Sequence, residues 1–125
     1  MRLAGQRILI VEDEIIIALD ISAIVRDEGA DVIGPALSSV QAVELIDSHR
    51  LTSAILDVTI ADGDSLPVAV RLIEVGVPFV FHTGDPSYLQ SKKDWPHAPV
   101  LNKPVSPVDL VSALVLVAQR NASND

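Results

Sequence analysis

The stretches Ile8-Leu9-Ile10-Val11-Glu12-Asp13 and Ala54-Ile55-Leu56-Asp57 decide the fold, because each is a short apolar run that ends in acidic residues. Short apolar runs of this kind are typical of buried strands in a parallel sheet. If the two strands are neighbours, Glu12, Asp13 and Asp57 meet at the carboxyl-terminal edge of the sheet, where open α/β folds bind ligands. Crowded carboxylates repel one another and are tolerated around a hard cation. The two stretches therefore predict a magnesium site suited to phosphoryl transfer.

A plainer interpretation is that an acid at a strand end caps the next helix, since Asp13 precedes a helical pattern. For one acid this interpretation is the better one. It does not explain why three acids follow two strands, because their mutual repulsion needs compensation. Two acids with backbone and water oxygens form a hard octahedral site that suits magnesium better than zinc.

The composition limits the class of protein. The chain has 125 residues, enough for one domain, and 49% of them are hydrophobic with a mean hydropathy of +0.39. Aromatic residues make up only 3%, which predicts an aliphatic core. A net charge of −8 argues against nucleic-acid binding, and no apolar run approaches the ~20 residues that span a bilayer. The absence of cysteine excludes disulfides and thiolate metal sites, and a cytoplasmic location is expected.

Strand-like and helix-like patterns alternate five times along the chain. The predicted strands are 7–11, 31–34, 53–56, 79–82 and 100–101, and the predicted helices are 14–28, 39–49, 66–75, 88–94 and 108–120. The fourth helix is predicted to be short, because prolines 86, 96 and 99 crowd that region. Such alternation predicts an α/β fold with a parallel sheet and helices on both faces. We assign the domain to residues 6–120, with flexible ends at 1–5 and 121–125.

Two further elements follow later strands. Thr83 and Gly84 end the fourth strand, so the Thr83 hydroxyl could donate a hydrogen bond to a phosphoryl oxygen where glycine lets a ligand approach. An ordinary turn threonine is an equally good interpretation of that residue alone. Lys103 follows the fifth strand, whereas lysines usually lie on helix surfaces. At the same sheet edge its ammonium is expected to pair with Asp57 at rest and with a bound phosphoryl group later.

Together these motifs resemble the receiver domain of bacterial two-component response regulators. The order along the chain is acid pair, acid, hydroxyl and lysine, on strands one, three, four and five, and the resemblance covers residues 6–120. It implies a flavodoxin-like (βα)5 doubly wound parallel sheet with strand order 2-1-3-4-5. It also implies that Asp57 accepts phosphate from a histidine kinase or a phosphotransfer protein and that the domain then changes its binding to an unknown downstream protein.

The resemblance assigns a role to each site residue. Glu12, Asp13 and Asp57 would hold Mg²⁺, and the backbone carbonyl of Thr59 would complete the protein ligands. The residues that would bind the phosphoryl oxygens are Thr83 and Lys103. The acyl phosphate on Asp57 would decay by slow self-dephosphorylation, so the chain is expected to be a signalling module and not an enzyme.

One departure from the family pattern concerns the switch. Many receivers have an aromatic residue three positions before the lysine, and here that position is Val100. The run Phe81-His82-Thr83-Gly84 instead resembles a subgroup with a Phe-x-Thr-Gly signature and no aromatic switch. The hypothesis is that the loop 85–95 carries the change, with Lys92 or Lys93 as charge partners.

Other residues invite weaker interpretations. The spacing of His49, His82 and His97 indicates no shared site, and strand alternation points His82 away from Thr83, so no functional histidine is expected. Asp62-Gly63 is typical of a turn beside the site. The first and fifth helices are apolar nearly all round, which is explained by packing between neighbouring helices or by a homodimer through either helix.

A different class of function remains as the alternative. A small magnesium-dependent phosphatase or other hydrolase shares the doubly wound topology. Such enzymes commonly carry the nucleophilic aspartate after the first strand and need a substrate cap. Here the nucleophile candidate Asp57 follows the third strand and no insertion is long enough for a cap. A degenerate receiver that binds partners without phosphorylation is the lesser alternative, and the full set of site residues speaks against it.

Overall fold

Five parallel strands alternate with five helices in the computed structural model, which describes residues 1–90 and 94–123, without the side chains of residues 121–123. In chain order they are β1 (Arg7–Val11), α1 (Ile15–Asp27), β2 (Asp31–Ala36), α2 (Ser39–Ser48), β3 (Ser53–Leu56), α3 (Leu66–Glu74), β4 (Phe79–Thr83), α4 (Pro86–Gln90), β5 (Val100–Asn102) and α5 (Pro107–Ser123). The strands lie in the order β2-β1-β3-β4-β5 and all pair in parallel. The predicted α/β fold with strand order 2-1-3-4-5 is confirmed.

Strand alternation divides the core into two layers, because successive side chains of a strand point to opposite faces of the sheet. Leu9, Leu56 and Phe81 pack on one face against buried residues of α2 and α3. Ile10, Ile55 and Val80 pack on the other face against α1 and α5. The predicted aliphatic core is confirmed, with Phe79, Phe81 and Trp95 as its buried aromatic residues in the described part of the chain.

The predicted element limits differ from the structure mainly at two prolines. The prediction ended the second strand at residue 34, but β2 continues through Pro35 to Ala36. Proline is tolerated there because β2 is an edge strand, whose outer backbone groups pair with no other strand. The fourth helix was predicted over 88–94, but α4 begins at Pro86 and is described to Gln90, and positions 91–93 of the prediction lie outside the described residues. A proline is well suited to the first turn, where its missing N–H has no helical partner.

A short hairpin follows β3 and was not predicted as a pair of strands. Thr59–Ile60 pairs with Gly63–Asp64 in antiparallel fashion. The turn between them contains Asp62 and leads into Gly63, whose φ is 129°. Positive φ is a conformation that glycine adopts without steric cost, so the Asp-Gly pair was the signal for this turn. The hairpin places the chain directly after Asp57 close to α2.

Side-chain and glycine signals at the helix ends agree with the sequence. The Ser38 hydroxyl accepts a hydrogen bond from the Gln41 amide and caps α2. The Ser106 hydroxyl accepts from the Asp109 amide at the start of α5. Gly76, with a φ of 75°, follows the C-terminal end of α3.

The segment 1–5 was expected to be a flexible end, yet Leu3 is only 1% exposed and packs in the core layer beside α1 and α5. The Leu3 amide also donates a hydrogen bond to the Glu28 carbonyl. This end therefore packs against the domain through one leucine, while Met1 is exposed. The limits of the domain stay a prediction.

No helix in the described ranges combines the length and the apolar character that a membrane crossing requires.

Candidate functional site

Three carboxylates meet at the carboxyl-terminal edge of the sheet. Val11 and Leu56 are paired in neighbouring strands, so the residues that follow them, Glu12 and Asp57, lie side by side. One carboxylate oxygen from each of Glu12, Asp13 and Asp57 lies within 4.8 Å of the others. Glu12 is 1% exposed and Asp57 7%, while Asp13 is exposed. The structure thus brings together the acids that the sequence predicted.

Lys103 joins this cluster from β5. Its Nζ lies 2.9 Å from Oδ2 of Asp57 and 2.9 Å from Oε1 of Glu12. The backbone fixes this approach, because the Lys103 amide donates to the Thr83 carbonyl. The bond to Asp57 was predicted, whereas the bond to Glu12 was not. At rest the ammonium supplies part of the positive charge that the buried carboxylates need.

The protonation of the cluster follows from its burial. Burial raises the pKa of Glu12 to about 8, the neighbouring Asp57 carboxylate adds to this rise, and Lys103 opposes it. Burial alone would lower the pKa of Lys103, but its hydrogen bonds to Asp57 and Glu12 outweigh burial and the pKa is raised. Lys103 therefore stays a cation at neutral pH. The raised pKa means that the buried Glu12 carboxyl takes up a proton at a higher pH than an exposed glutamate does.

Thr83 ends β4 at the same edge and is buried. Its Oγ1 accepts a hydrogen bond from the Asp85 amide at 3.0 Å. An accepting hydroxyl still has its own proton to donate, so Thr83 can offer a hydrogen bond to an incoming oxyanion. Asp57 is oriented too, because its Oδ1 accepts from the Val58 amide at 2.8 Å.

The donor set fits a hard divalent cation. Carboxylate and carbonyl oxygens are the ligands that Mg²⁺ prefers, and the three clustered acids offer only oxygen. Thr59 lies two positions after Asp57 and begins the hairpin. Its role as a ligand stays a prediction.

His82 is the buried polar residue that sequence reasoning set aside. It lies with Ile17, Ile21 and Val105 on a cavity of about 270 Å³ on the α1 side of the sheet, as strand alternation predicted. Neither ring nitrogen has a hydrogen-bond partner among the described residues. Burial lowers the pKa of His82 to about 4, with a further lowering from Lys103 and an opposing effect from Asp57. The ring is therefore neutral near pH 7, and its only signal in the sequence was its place inside an apolar strand.

The loop proposed as the switch contains an aromatic contact. Trp95 is 8% exposed, and its ring lies 5.6 Å from that of Phe81 and 6.1 Å from that of Tyr88, measured between centroids. Val100, at the position of the usual aromatic residue, is partly exposed. The predicted charge partners Lys92 and Lys93 lie outside the described residues.

Comparisons with known proteins agree with this geometry. No family model matches the chain. The phyllosphere-induced regulator PhyR of Methylorubrum extorquens is 38% identical over 112 residues, which are 86% of this chain and 41% of that protein. The transcriptional regulatory protein PdtaR of Mycobacterium tuberculosis is 30% identical over 118 residues, 92% of this chain and 58% of that protein. The chain thus spans about half the length of these curated relatives.

Solved structures share the fold along nearly the whole chain. The response regulator PhyR from Brucella abortus superposes with a TM-score of 0.82 at 30% identity, covering 98% of this chain and 52% of that one. A response regulator receiver protein from Sinorhizobium medicae gives a TM-score of 0.83 at 23% identity, covering 93% and 96%. With its sheet order, its three clustered acids and the lysine bound to two of them, the chain belongs to the response regulator receiver domains.

Proposed function

We propose that this receiver domain accepts a phosphoryl group on Asp57 from a histidine kinase or a phosphotransfer protein and then changes its binding to a downstream protein. The observation that carries the proposal is the environment of Asp57. Its carboxylate is buried and oriented by the Val58 amide. It also contacts a lysine and lies within reach of a second acid suited to a cation. A buried, oriented and charge-compensated carboxylate is what an acceptor of phosphate needs.

The chemistry is an in-line displacement. One carboxylate oxygen of Asp57 attacks the phosphorus of phosphohistidine, the new P–O bond forms, and the P–N bond breaks with its electron pair leaving on the imidazole. Lys103 turns from the resting carboxylates to the oxygens of the transferred group, and the Thr83 hydroxyl donates a hydrogen bond to the same group. Water later attacks the acyl phosphate and releases inorganic phosphate.

Glu12, Asp13, Asp57 and the Thr59 carbonyl would hold Mg²⁺ in this proposal. When bound, the cation would offset the negative charge spread over the transferring phosphoryl group. Because Glu12 is buried beside Asp57 and Lys103, its carboxylate is held at the site before any cation arrives.

The proposal makes the chain a cytoplasmic signalling module and not an enzyme acting on a separate substrate. The output would be binding to another protein, as the description of PhyR from Bartonella quintana as an anti-anti-sigma factor suggests for that relative. A homodimer through either helix is part of the proposal. Both helices expose large apolar side chains, Ile16 on α1 and Val108 and Leu116 on α5. No role with nucleic acid or membrane is proposed for this acidic domain.

The alternative is a magnesium-dependent phosphatase or hydrolase. It would need a covering element to exclude water from a substrate. The described loops at this edge of the sheet are short, over 12–14, 57–65, 84–85 and 103–106, and Asp13 is exposed to solvent. This arrangement favours a site that docks a protein donor over one that encloses a small substrate.

Incubation with acetyl phosphate and Mg²⁺ tests the proposal. The expected result is an intact mass raised by one phosphoryl group in the wild-type protein, and no increase for Asp57→Asn or when EDTA removes the cation. If the mass of the wild-type protein stays unchanged although Mg²⁺ binds, the protein is not a phosphate acceptor. The remaining interpretation is then a degenerate receiver that binds partners without phosphorylation. Steady release of phosphate from added phosphomonoesters, without a labelled protein, would favour the hydrolase.

Phosphorylation is also expected to change the fluorescence of Trp95. Thr83 accepts from the Asp85 amide and lies in the same strand as Phe81, which contacts the Trp95 ring. A hydroxyl drawn towards the phosphoryl group would therefore shift the loop that begins at Asp85 and alter the packing of the indole. The measurement is the emission spectrum before and after addition of beryllium fluoride with Mg²⁺, and Asp57→Asn should show no change. An unchanged spectrum in wild-type protein that binds beryllium fluoride would contradict a switch in this loop.

A further inference from the structure

The loop that follows Asp57 is fastened to the start of α2. Two backbone amides donate to the Asp62 carboxylate, from Ser39 to Oδ1 at 2.8 Å and from Val40 to Oδ2 at 3.3 Å. Two further bonds flank them, from the Ala61 amide to the Leu37 carbonyl and from the Ser39 hydroxyl to the Asp64 carbonyl. The hairpin that contains Thr59 is thereby tied to residues 37–40.

The segment 36–40 is also bonded to the backbone of Glu12. The register between β1 and β2 shifts after Leu9, so that Val11 pairs with Ala36. The Ala36 carbonyl then accepts a hydrogen bond from the Glu12 amide at 2.9 Å. Residues 36–40 therefore connect the end of β1, which carries Glu12, to the loop that carries Asp57 and Thr59.

Asp62 is not itself placed as a metal ligand. The clustered acids are Glu12, Asp13 and Asp57, and both oxygens of Asp62 are turned to amides at the N-terminus of α2. Those amides, Ser39 first, lower the pKa of Asp62, so the carboxylate is charged at neutral pH. A charged acceptor makes stronger bonds to N–H groups, and a negative charge is favourable at the positive end of a helix.

We propose that Asp62 is a positioning residue for the cation site, which clamps the metal-binding loop onto α2 and so keeps Thr59 and Asp57 at a fixed distance from Glu12. The proposal deepens the proposed function and rests on it. Mg²⁺ demands nearly ideal octahedral geometry, so a loop that is loose before binding must be ordered when the cation enters. Without the bonds to Asp62, the conformational entropy lost when the loop becomes ordered would weaken Mg²⁺ binding.

Titration with Mg²⁺ alone, in an isothermal calorimeter, tests this role without any phosphoryl donor. The Kd for Mg²⁺ is expected to rise about fivefold in Asp62→Ala, the change that corresponds to loss of a helix-capping side chain. Asp62→Asn retains one carbonyl oxygen as acceptor, so its Kd should lie between those of the wild type and Asp62→Ala. At saturating Mg²⁺, the rate of phosphorylation by acetyl phosphate should return close to the wild-type rate, because Asp57, Thr83 and Lys103 are intact.

Ser106→Ala is the matched control, since it removes the capping bond to the Asp109 amide of α5 and leaves the clamp in place. It should lower the Tm by a similar amount and leave the Kd for Mg²⁺ unchanged. Hydrogen exchange by NMR should show faster exchange at the Ser39 and Val40 amides only in the Asp62 variants. An unchanged Kd in Asp62→Ala, or an equal rise in Ser106→Ala, would overturn the role of Asp62. Failure of the wild-type protein to bind Mg²⁺ would overturn the proposed function together with that role.

Discussion

Replacement of Lys103 by methionine is expected to slow phosphorylation of Asp57 by acetyl phosphate about a hundredfold, the loss typical of removing one donor to a developing negative charge. The ammonium lies 2.9 Å from Asp57 and 2.9 Å from Glu12, so a short rotation of the side chain brings it to the oxygens of a phosphoryl group on Asp57. The rate is measured from the intact mass at saturating Mg²⁺. This keeps any change in cation affinity out of the comparison.

The same variant is expected to lose about 3 kcal/mol of stability in the absence of Mg²⁺, the low end of the range for breaking a buried ion pair. The low end applies because Glu12, whose pKa is already raised to about 8, can take up a proton when the lysine is gone. The loss should shrink as the pH falls and should be reversed by Mg²⁺, which binds only the folded protein. Urea denaturation with and without Mg²⁺ measures both effects.

The affinity for Mg²⁺ is expected to rise in Lys103→Met, because a positive charge no longer competes for the same carboxylates. Loss of this charge alone should lower the Kd for Mg²⁺ and slow phosphorylation. Collapse of the site would instead weaken Mg²⁺ binding as well. Arg26→Met, which removes an exposed cation from the last turn of α1, is the control and should change neither quantity appreciably. A Lys103→Met protein that is phosphorylated at the wild-type rate would refute the role of the ammonium.

The second large effect concerns His82 and acid stability. The pKa of His82 falls from 6.5 to about 4 on folding, mainly because the ring is buried. Below pH 6.5 the unfolded chain binds a proton that the folded chain does not, so the contribution of this residue to stability is lost as the pH falls from 6.5 towards 4. A shift of that size corresponds to as much as about 3 kcal/mol.

His82→Phe is expected to remove this dependence on pH between 6.5 and 4. It should also stabilise the protein by about 1 kcal/mol at pH 7, because two buried ring nitrogens that find no partner in the described part of the chain disappear. Glu12 acts in the opposite direction, because its raised pKa makes the folded state more stable as the pH falls. Both proteins contain Glu12, so this effect cancels when their free energies of unfolding are subtracted at each pH.

The measurement is the free energy of unfolding in urea at several pH values. His82→Leu serves as a second variant if phenylalanine does not fit the site. The control is His49→Phe, because the His49 side chain is exposed at the end of α2. Parallel stability profiles of the wild-type protein and the His82→Phe protein from pH 7 to pH 4 would show that folding leaves the pKa of His82 unchanged, which contradicts the expected effect of burial.

Much of the site followed from local pattern. Apolar runs that end in Glu12-Asp13 and Asp57 predicted that these acids meet at one edge of the sheet if the two strands are neighbours, and the structure shows that they are. Thr83 and Lys103 could be added because each follows a later run of the same kind. The second strand was predicted to end at residue 34 and continues to Ala36. Only the tertiary structure shows that β2 lies at the sheet edge, where Pro35 is tolerated.

By itself, the sequence determined the alternation of parallel strands and helices and the residues that follow each strand, whereas the strand order was expected only from the resemblance to receiver domains. Burial pattern and chain direction are local properties, and they are written in the spacing of apolar and acidic residues. Only the tertiary structure decided that Lys103 also binds Glu12, 91 positions away, and that Asp62 clamps Ser39, 23 positions away. It likewise decided that His82 has no partner among the described residues. These contacts depend on the shifted register between β1 and β2 and on the packing of loops. The spacing of apolar and polar residues along the chain predicts neither of them.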